Sequence, residues 1–237
     1  KEVYKSSPFG VVSSFLIGIS HSAVFSLIAV YATSMNFSIL EVSIVTFLFA
    51  ISGAISQWPI GKLSDVLDRR IVIIYTTFGA ALFCFLAIIS SGQMYMPAGL
   101  ATSKIFFYIC IMCFSFCSLP MFALIFAHTN DFIPKEKFVA AGAGLQFVFG
   151  LGAICGPFMC SLFMEFLGEN GFFIFLIIFH SFIGLFGIYR MQIRESGDNP
   201  DSQFAPMPQT ITPAGIELNP STEPIDEPNN LNEFKKI

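Results

Sequence analysis

The chain has 237 residues, of which 54% are hydrophobic and 12% charged, and its formal net charge is −4. Soluble proteins carry about 25% charged residues, and a chain with so little polar surface cannot cover a core built from its 30 Phe. A soluble domain is therefore excluded, and because the negative charge sits mostly near the C-terminus, nothing points to nucleic acid as a partner.

Taken in chain order, six apolar runs are predicted as membrane spans, at about 9–32, 39–60, 71–90, 104–127, 138–164 and 172–191. Each has the roughly 20 residues needed to cross about 30 Å of hydrocarbon. All six are predicted helices, because a lipid-exposed backbone must satisfy its own hydrogen bonds. Runs such as Ile-Val-Ile-Ile at 71–74 lack the alternation of a barrel strand. The expected fold is thus an all-α membrane protein with one six-helix transmembrane domain over residues 1–194. The loops on one side hold Lys1, Lys5, Lys62, Arg69, Arg70, Lys135, Lys137, Arg190 and Arg194, and those on the other hold only Lys104. By the positive-inside rule both termini are expected in the cytoplasm. The run from Phe9 is too long for the core of a signal peptide. The chain begins with Lys1 rather than Met, so it is expected to be a piece of something longer. From Glu195 onward, seven Pro and eight acidic residues predict a disordered, acidic, Pro-rich cytoplasmic tail over 195–237. The six cysteines lie inside apolar runs and read as small apolar side chains, not as a disulfide framework. Cys110, Cys113 and Cys117 share a face of span four, but no His or acid accompanies them there. Packing is therefore expected of them; neither a metal nor a cofactor is expected.

Five of the 28 charged residues fall in Gly61-Lys-Leu-Ser-Asp65-Val-Leu-Asp68-Arg69-Arg70, between spans two and three. Gly61 lets two helices approach closely. Asp65 and Arg69 are four apart and face each other if the turn is helical. A carboxylate there also suits the positive N-terminus of another helix.

This stretch resembles the loop signature of the major facilitator superfamily, roughly Gly-x-Leu-Ala/Ser-Asp-Arg-x-Gly-Arg/Lys-Arg/Lys. Gly61, Leu63, Ser64, Asp65, Arg69 and Arg70 match, whereas Val66 and Asp68 depart as second-half copies of the motif do. The resemblance implies the C-terminal six-helix half of a twelve-helix secondary transporter, working by alternating access and not as an enzyme. Its implied partners are the lipid bilayer, a small-molecule solute, a missing N-terminal half or a second copy, and a proton or another coupling ion. The implied place is a cell membrane, with the bacterial inner membrane expected. In this family the loop forms a cytoplasmic latch with an acid at the end of the fourth helix, a place that Asp131 holds here.

The resemblance further implies that spans one and four line a central cavity. The candidates on span one are His21, with Ser14, Gly18 and Phe25 on the same face; on span four they are Tyr108, Ser115 and Ser118. Gln57 and Gln146 add polar groups in spans two and five. His21 reads either as a functional group or as a hydrogen-bonding tie between helices. No Asp, Glu, Lys or Arg lies deep in a span, so a coupling carboxylate would belong to a partner half, or His21 would serve instead. In span five, Gly152-x-x-x-Gly156-Pro157 predicts close helix packing with a proline kink. It is similar to the Gly-Pro signature of antiporter branches, but lies in what would be helix eleven. Two other classes are a six-helix protein working as a homodimer and a rhomboid-like protease, suggested by Gly18-Ile-Ser20-His21 and His180. The protease reading fails because its serine would sit on span one and span four has no Gly.

Overall fold

A computed structural model describes residues 2–93 and 100–195, together with Gly197, Phe204 and Pro206. Helix α1 is the short Glu2–Ser6. It is followed by α2 (Pro8–Ser34), α3 (Ile39–Val66), α4 (Arg69–Gln93), α5 (Leu100–Ser118), α6 (Met121–Asn130), α7 (Phe138–Leu167) and α8 (Gly171–Ile193). A single 3-10 turn, Lys135–Lys137, precedes α7. Among the described residues there is no strand, and six helical segments are long and apolar enough to cross a membrane. Their number and order are those predicted from the sequence. Several run beyond the predicted ends, notably α3 and α7. The expected tail falls, apart from Glu195, Gly197, Phe204 and Pro206, outside the described residues.

Local chemistry sets the helix ends. Ser7 caps α2 by accepting the Gly10 N–H at 3.2 Å, with Pro8 in the first turn, where its missing N–H costs nothing. Ser38 and Glu41 form a reciprocal capping box at the start of α3. The fourth span, expected as one helix over 104–127, is broken between α5 and α6 at Leu119 and Pro120. Pro120 has no N–H to continue the ladder. Gly168 closes α7 at φ +70°, a conformation that favours glycine.

The helices pair in a pattern that repeats. α2 runs along α7, and α3 runs along α5; α4 lies against α5, and α8 against α2; α4 and α8 touch each other. Exchanging the first three spans for the last three maps this set onto itself, as two related three-helix units would require.

Lipid offers no hydrophobic drive between helices, so close packing and buried hydrogen bonds must hold them together. The α2–α7 seam uses glycine for this. A methyl group on Gly18 would strike the Phe149 backbone, one on Gly152 the Phe15 carbonyl, and one on Gly156 the Ile19 carbonyl. Ser14 adds a bond to the Leu145 carbonyl at 2.9 Å. The corresponding α3–α5 seam uses serine: Ser52 donates to the Met112 carbonyl at 2.6 Å, and Ser115 donates to the Phe49 carbonyl. At the end away from the Gly61–Arg70 loop, Tyr31 packs against Phe172 at 5.2 Å and Phe173 at 4.8 Å, tying α2 to α8.

Gly152→Leu is therefore expected to destabilise the protein by roughly 1–3 kcal/mol or more through overpacking. Gly150, whose added Cβ would meet nothing within 4 Å, is the control. Gly150→Ala should stay within about 0.5 kcal/mol of wild type in the same detergent melts.

Candidate functional site

The loop between α3 and α4 is not one helical turn. α3 ends at Val66, Leu67 is extended at φ −105° and ψ 162°, and α4 starts at Arg69. Asp65 and Arg69 nevertheless pair, with Asp65 Oδ1 3.0 Å from Arg69 Nη2. Arg69 Nη1 reaches the other way, donating to the Ala127 carbonyl at 3.1 Å and to the Asp131 carboxylate. The structure thus brings Asp65, Arg69 and Asp131 together at the ends of α3, α4 and α6. Arg69 is only 7% exposed. Its planar fork lets one buried cation serve acceptors in two directions at fixed geometry.

Arg70, equally buried, is held by Asp68: Asp68 Oδ1 accepts the Arg70 backbone N–H at 2.9 Å, and Oδ2 accepts Nη2 at 2.6 Å. Burial works to raise the Asp68 carboxyl. The hydrogen bonds and charge of Arg70 outweigh it and hold that carboxyl below the usual carboxylate range. Arg70 also donates to the Arg194 carbonyl at 2.6 Å. Arg194 in turn donates to the Ser6 carbonyl and lies 4.1 Å over the Phe132 ring. The start of α2, the end of α8 and the segment after α6 are thereby joined to the loop. Within the loop, Ser64 donates to the Gly61 carbonyl at 2.7 Å, while Leu63 and Val66 are exposed.

Deeper in the bundle, His21 is buried with Nε2 3.1 Å from both the carbonyl and Oγ of Ser118. Ser118 Oγ is 2.9 Å from His180 Nε2, and His180 Nδ1 is 2.9 Å from the Leu176 carbonyl. The short Nδ1–carbonyl contact requires a proton on Nδ1, so in neutral His180 Nε2 accepts from Ser118. This buried chain links α2, α5 and α8. Ser14, Gly18, His21, Ser115 and Ser118 are all engaged in contacts between helices. Phe25 is exposed, and Gln57, Tyr108 and Gln146 are half-buried; the side chain of Phe25 meets Phe49 edge-on at 5.4 Å. Gly152 and Gly156 of α7 pack against α2, and Pro157 follows them inside α7. Among the described residues no three His, Cys, Asp or Glu side chains converge as a metal site requires.

Two features escaped the sequence reading. His180 partners Ser118, and a second histidine inside a span was the signal available for it. At the opposite end, Lys104 pairs with Glu41 at 2.6 Å and lies 5.0 Å from the Phe37 ring. The Ser38-x-x-Glu41 capping signature, beside the lone basic residue of that side, was the available signal.

Six membrane-length helices, paired as two related units and joined at one end by a charged loop, define a multi-pass membrane protein. The family model of the Major Facilitator Superfamily matches residues 10–224, and the chain belongs to that family. The chain is 23% identical over 201 residues to an uncharacterized MFS-type transporter of Yersinia enterocolitica, covering 85% of this chain and 47% of the relative. It is 27% identical over 186 residues to the uncharacterized MFS-type transporter YfkF of Bacillus subtilis, covering 75% and 44%. A third such protein, from Enterobacter sp., is 24% identical over 191 residues, covering 81% and 45%. The chain spans about half the length of these curated relatives. No solved structure gives a significant match.

Arg69→Met leaves two carboxylates facing each other without their cation, and is expected to cost about 3–5 kcal/mol. Combining it with Asp65→Asn and Asp131→Asn should recover part of that loss, since the three residues act as one unit. Denaturation in detergent measures both. The Asp68 interaction carries its own pH signature. A lowered folded-state pKa stabilises the fold above the unfolded value of about 3.9, and this stabilisation is lost as pH falls through the folded pKa. Asp68→Asn should therefore narrow the stability gap to wild type as pH drops from 6 toward about 3.

Proposed function

We propose that this chain is the C-terminal six-helix half of a secondary active transporter that moves a small solute by alternating access. Both termini face the cytoplasm, and the bacterial inner membrane is its place. The asymmetry of Lys and Arg between the two sets of loops supports the orientation. The bacterial relatives, named as MFS-type transporters, support the activity and the membrane.

One observation carries the mechanism: a buried guanidinium, Arg69, is shared by carboxylates at the ends of α3 and α6. A charge cluster of this kind, contributed by separate rigid helices, is either assembled or broken, because a half-made buried ion pair is costly. It suits a latch between two conformations. In this reading Asp65, Arg69 and Asp131 are assembled while the cytoplasmic side is closed and separate when it opens. Gly61, Leu63, Ser64 and Arg70 shape the loop that carries them. α3 and α7 are the most exposed of the spans and offer their faces to the other half, or to a second copy. In the same reading Phe25, Gln57, Tyr108 and Gln146 meet the solute. The coupling ion binds a carboxylate of the other half, or a proton enters the His21–Ser118–His180 chain.

Two measurements test this. A fluorescent protein fused after Ile237 should fluoresce, and alkaline phosphatase fused there should be inactive; the reverse pattern refutes the orientation. In the assembled transporter, Asp131→Lys should place a cation against Arg69 and favour the cytoplasm-open state. Labelling of Gln57→Cys by an impermeant thiol reagent from the cytoplasmic side should then rise about tenfold, equivalent to some 1.4 kcal/mol. Unchanged labelling removes the latch.

A further inference from the structure

At the end of the bundle that carries the charged loop, a cleft opens between the starts of α2 and α4 and the ends of α6 and α8. Arg70, Arg190 and Arg194 line it, together with His128 and the Ser7–Phe9 turn that begins α2. Among the described residues its lining holds no carboxylate. Arg70 is matched by Asp68. The other two guanidiniums have no anion. Arg194 has the Ser6 carbonyl and the face of Phe132. Arg190 is half-buried, yet among the described residues its side chain makes no hydrogen bond and joins none of the ion pairs. The two lie four residues apart at one helix end, where like charges repel.

His128 is a further unanswered group. It is only 4% exposed, and its ring meets Phe9 edge-on at 5.1 Å and Phe132 at 5.0 Å. Among the described residues its ring makes no hydrogen bond. An imidazole carries an N–H in either tautomer, and a buried donor left without an acceptor costs free energy. Two unmatched guanidiniums, a buried N–H and the positive end of α2 thus converge on one cleft. The group that answers all of them is an anion with more than two oxygens. A carboxylate is used up by a single guanidinium fork, whereas a phosphate takes one fork and further donors besides.

The enclosed part of the cleft admits an oxygen but not a whole phosphate. A free phosphate seated there would stay largely in water. A phosphate carried by a lipid is already held at the helix ends, and its high local concentration offsets a shallow seat. α8 suits such a ligand. Its exposed Ile178, Phe182, Leu185 and Tyr189 follow one another at helical spacing, as one apolar stripe that leads to the turn of Arg190. Tyr189, with an apolar ring and a polar tip, is the type of residue that marks a membrane interface.

We propose that this cleft binds the phosphate of an anionic phospholipid. Arg190 and Arg194 are the counter-charges, His128 is the buried donor, and the α8 stripe lies along an acyl chain. The site requires only that α8 crosses the membrane and does not rest on the transport reading. The phosphate would bridge the start of α2 to the end of α8, where Arg194 already reaches Ser6.

Native mass spectrometry of the chain in detergent, titrated with phosphatidylglycerol or with zwitterionic phosphatidylcholine, reads the site. Wild type should bind phosphatidylglycerol at least about tenfold more tightly than phosphatidylcholine. Arg190→Gln should weaken phosphatidylglycerol about tenfold. His128→Phe, which keeps a ring against Phe9 and Phe132, should weaken it about threefold. Lys62→Gln removes an exposed cation of the same end, outside the cleft, and should stay within about twofold of wild type. If His128→Phe fails to fold, Arg190→Gln carries the test, since that side chain holds no other element by a polar contact. Phosphatidylglycerol binding that Arg190→Gln leaves unchanged, or that Lys62→Gln weakens equally, overturns the site in favour of diffuse surface attraction. Inorganic phosphate at about 10 mM should displace little of the lipid. If it displaces the lipid, and raises the melting temperature of wild type but not of Arg190→Gln, the cleft is a site for free phosphate and the lipid assignment is overturned.

Discussion

A guanidinium kept from water is the constraint that organises one end of this bundle. Removing a charge from water costs several kcal/mol unless partners and hydrogen bonds replace the solvent. Arg69 meets that cost with Asp65, Asp131 and the Ala127 carbonyl. Because Arg69 is the first residue of α4, its partners fix the relative height of α3, α4 and α6. Arg70 extends the same logic to α8 through the Arg194 carbonyl, and Arg194 extends it to Ser6 ahead of α2. Asp68, standing where the family pattern has glycine, is the anion that makes a buried Arg70 tolerable.

The other seams show what replaces the hydrophobic effect inside a bilayer. α2 and α7 meet backbone to backbone over Gly18, Gly152 and Gly156. α3 and α5 occupy the equivalent position in the second unit but meet through Ser52 and Ser115, whose hydroxyls donate to carbonyls across the seam. Close van der Waals approach and interhelical hydrogen bonds are the two means available there; the α2–α7 seam combines glycine contacts with the Ser14 bond, whereas serine hydroxyls tie the α3–α5 seam.

The number of spans was legible because bilayer thickness is a crude demand that any apolar run of sufficient length meets. The Asp65–Arg69–Asp131 juxtaposition was legible for a related reason: so few charges remain between the apolar runs that their partners are nearly determined. Less of the rest could be read. The break at Pro120 lies inside an apolar run, so hydropathy passes over it. Ser14, His21, Ser115 and Ser118 were read as faces of single helices. What they do depends on which helix lies opposite, and a helical period does not contain that information. His180 became meaningful only once α8 was seen against α5 and α2. The pairing of Asp65 with Arg69 was expected through a helical turn and is made instead across an extended residue, Leu67, because the long arginine side chain spans the gap.

The Glu41–Lys104 pair changes how the bundle can deform. α3 and the fourth span run in the same direction and are fastened at three levels. Glu41 and Lys104 join them at one end, Ser52 and Ser115 join them in the middle, and Asp65 and Asp131 join them through Arg69 at the other. Two rods pinned at both ends and at the midpoint cannot slide or splay without breaking a buried polar contact. They form a stiff plank running through the bundle. A rearrangement that leaves the pins intact must carry both rods together, so that the pair moves as one body against the rest of the bundle.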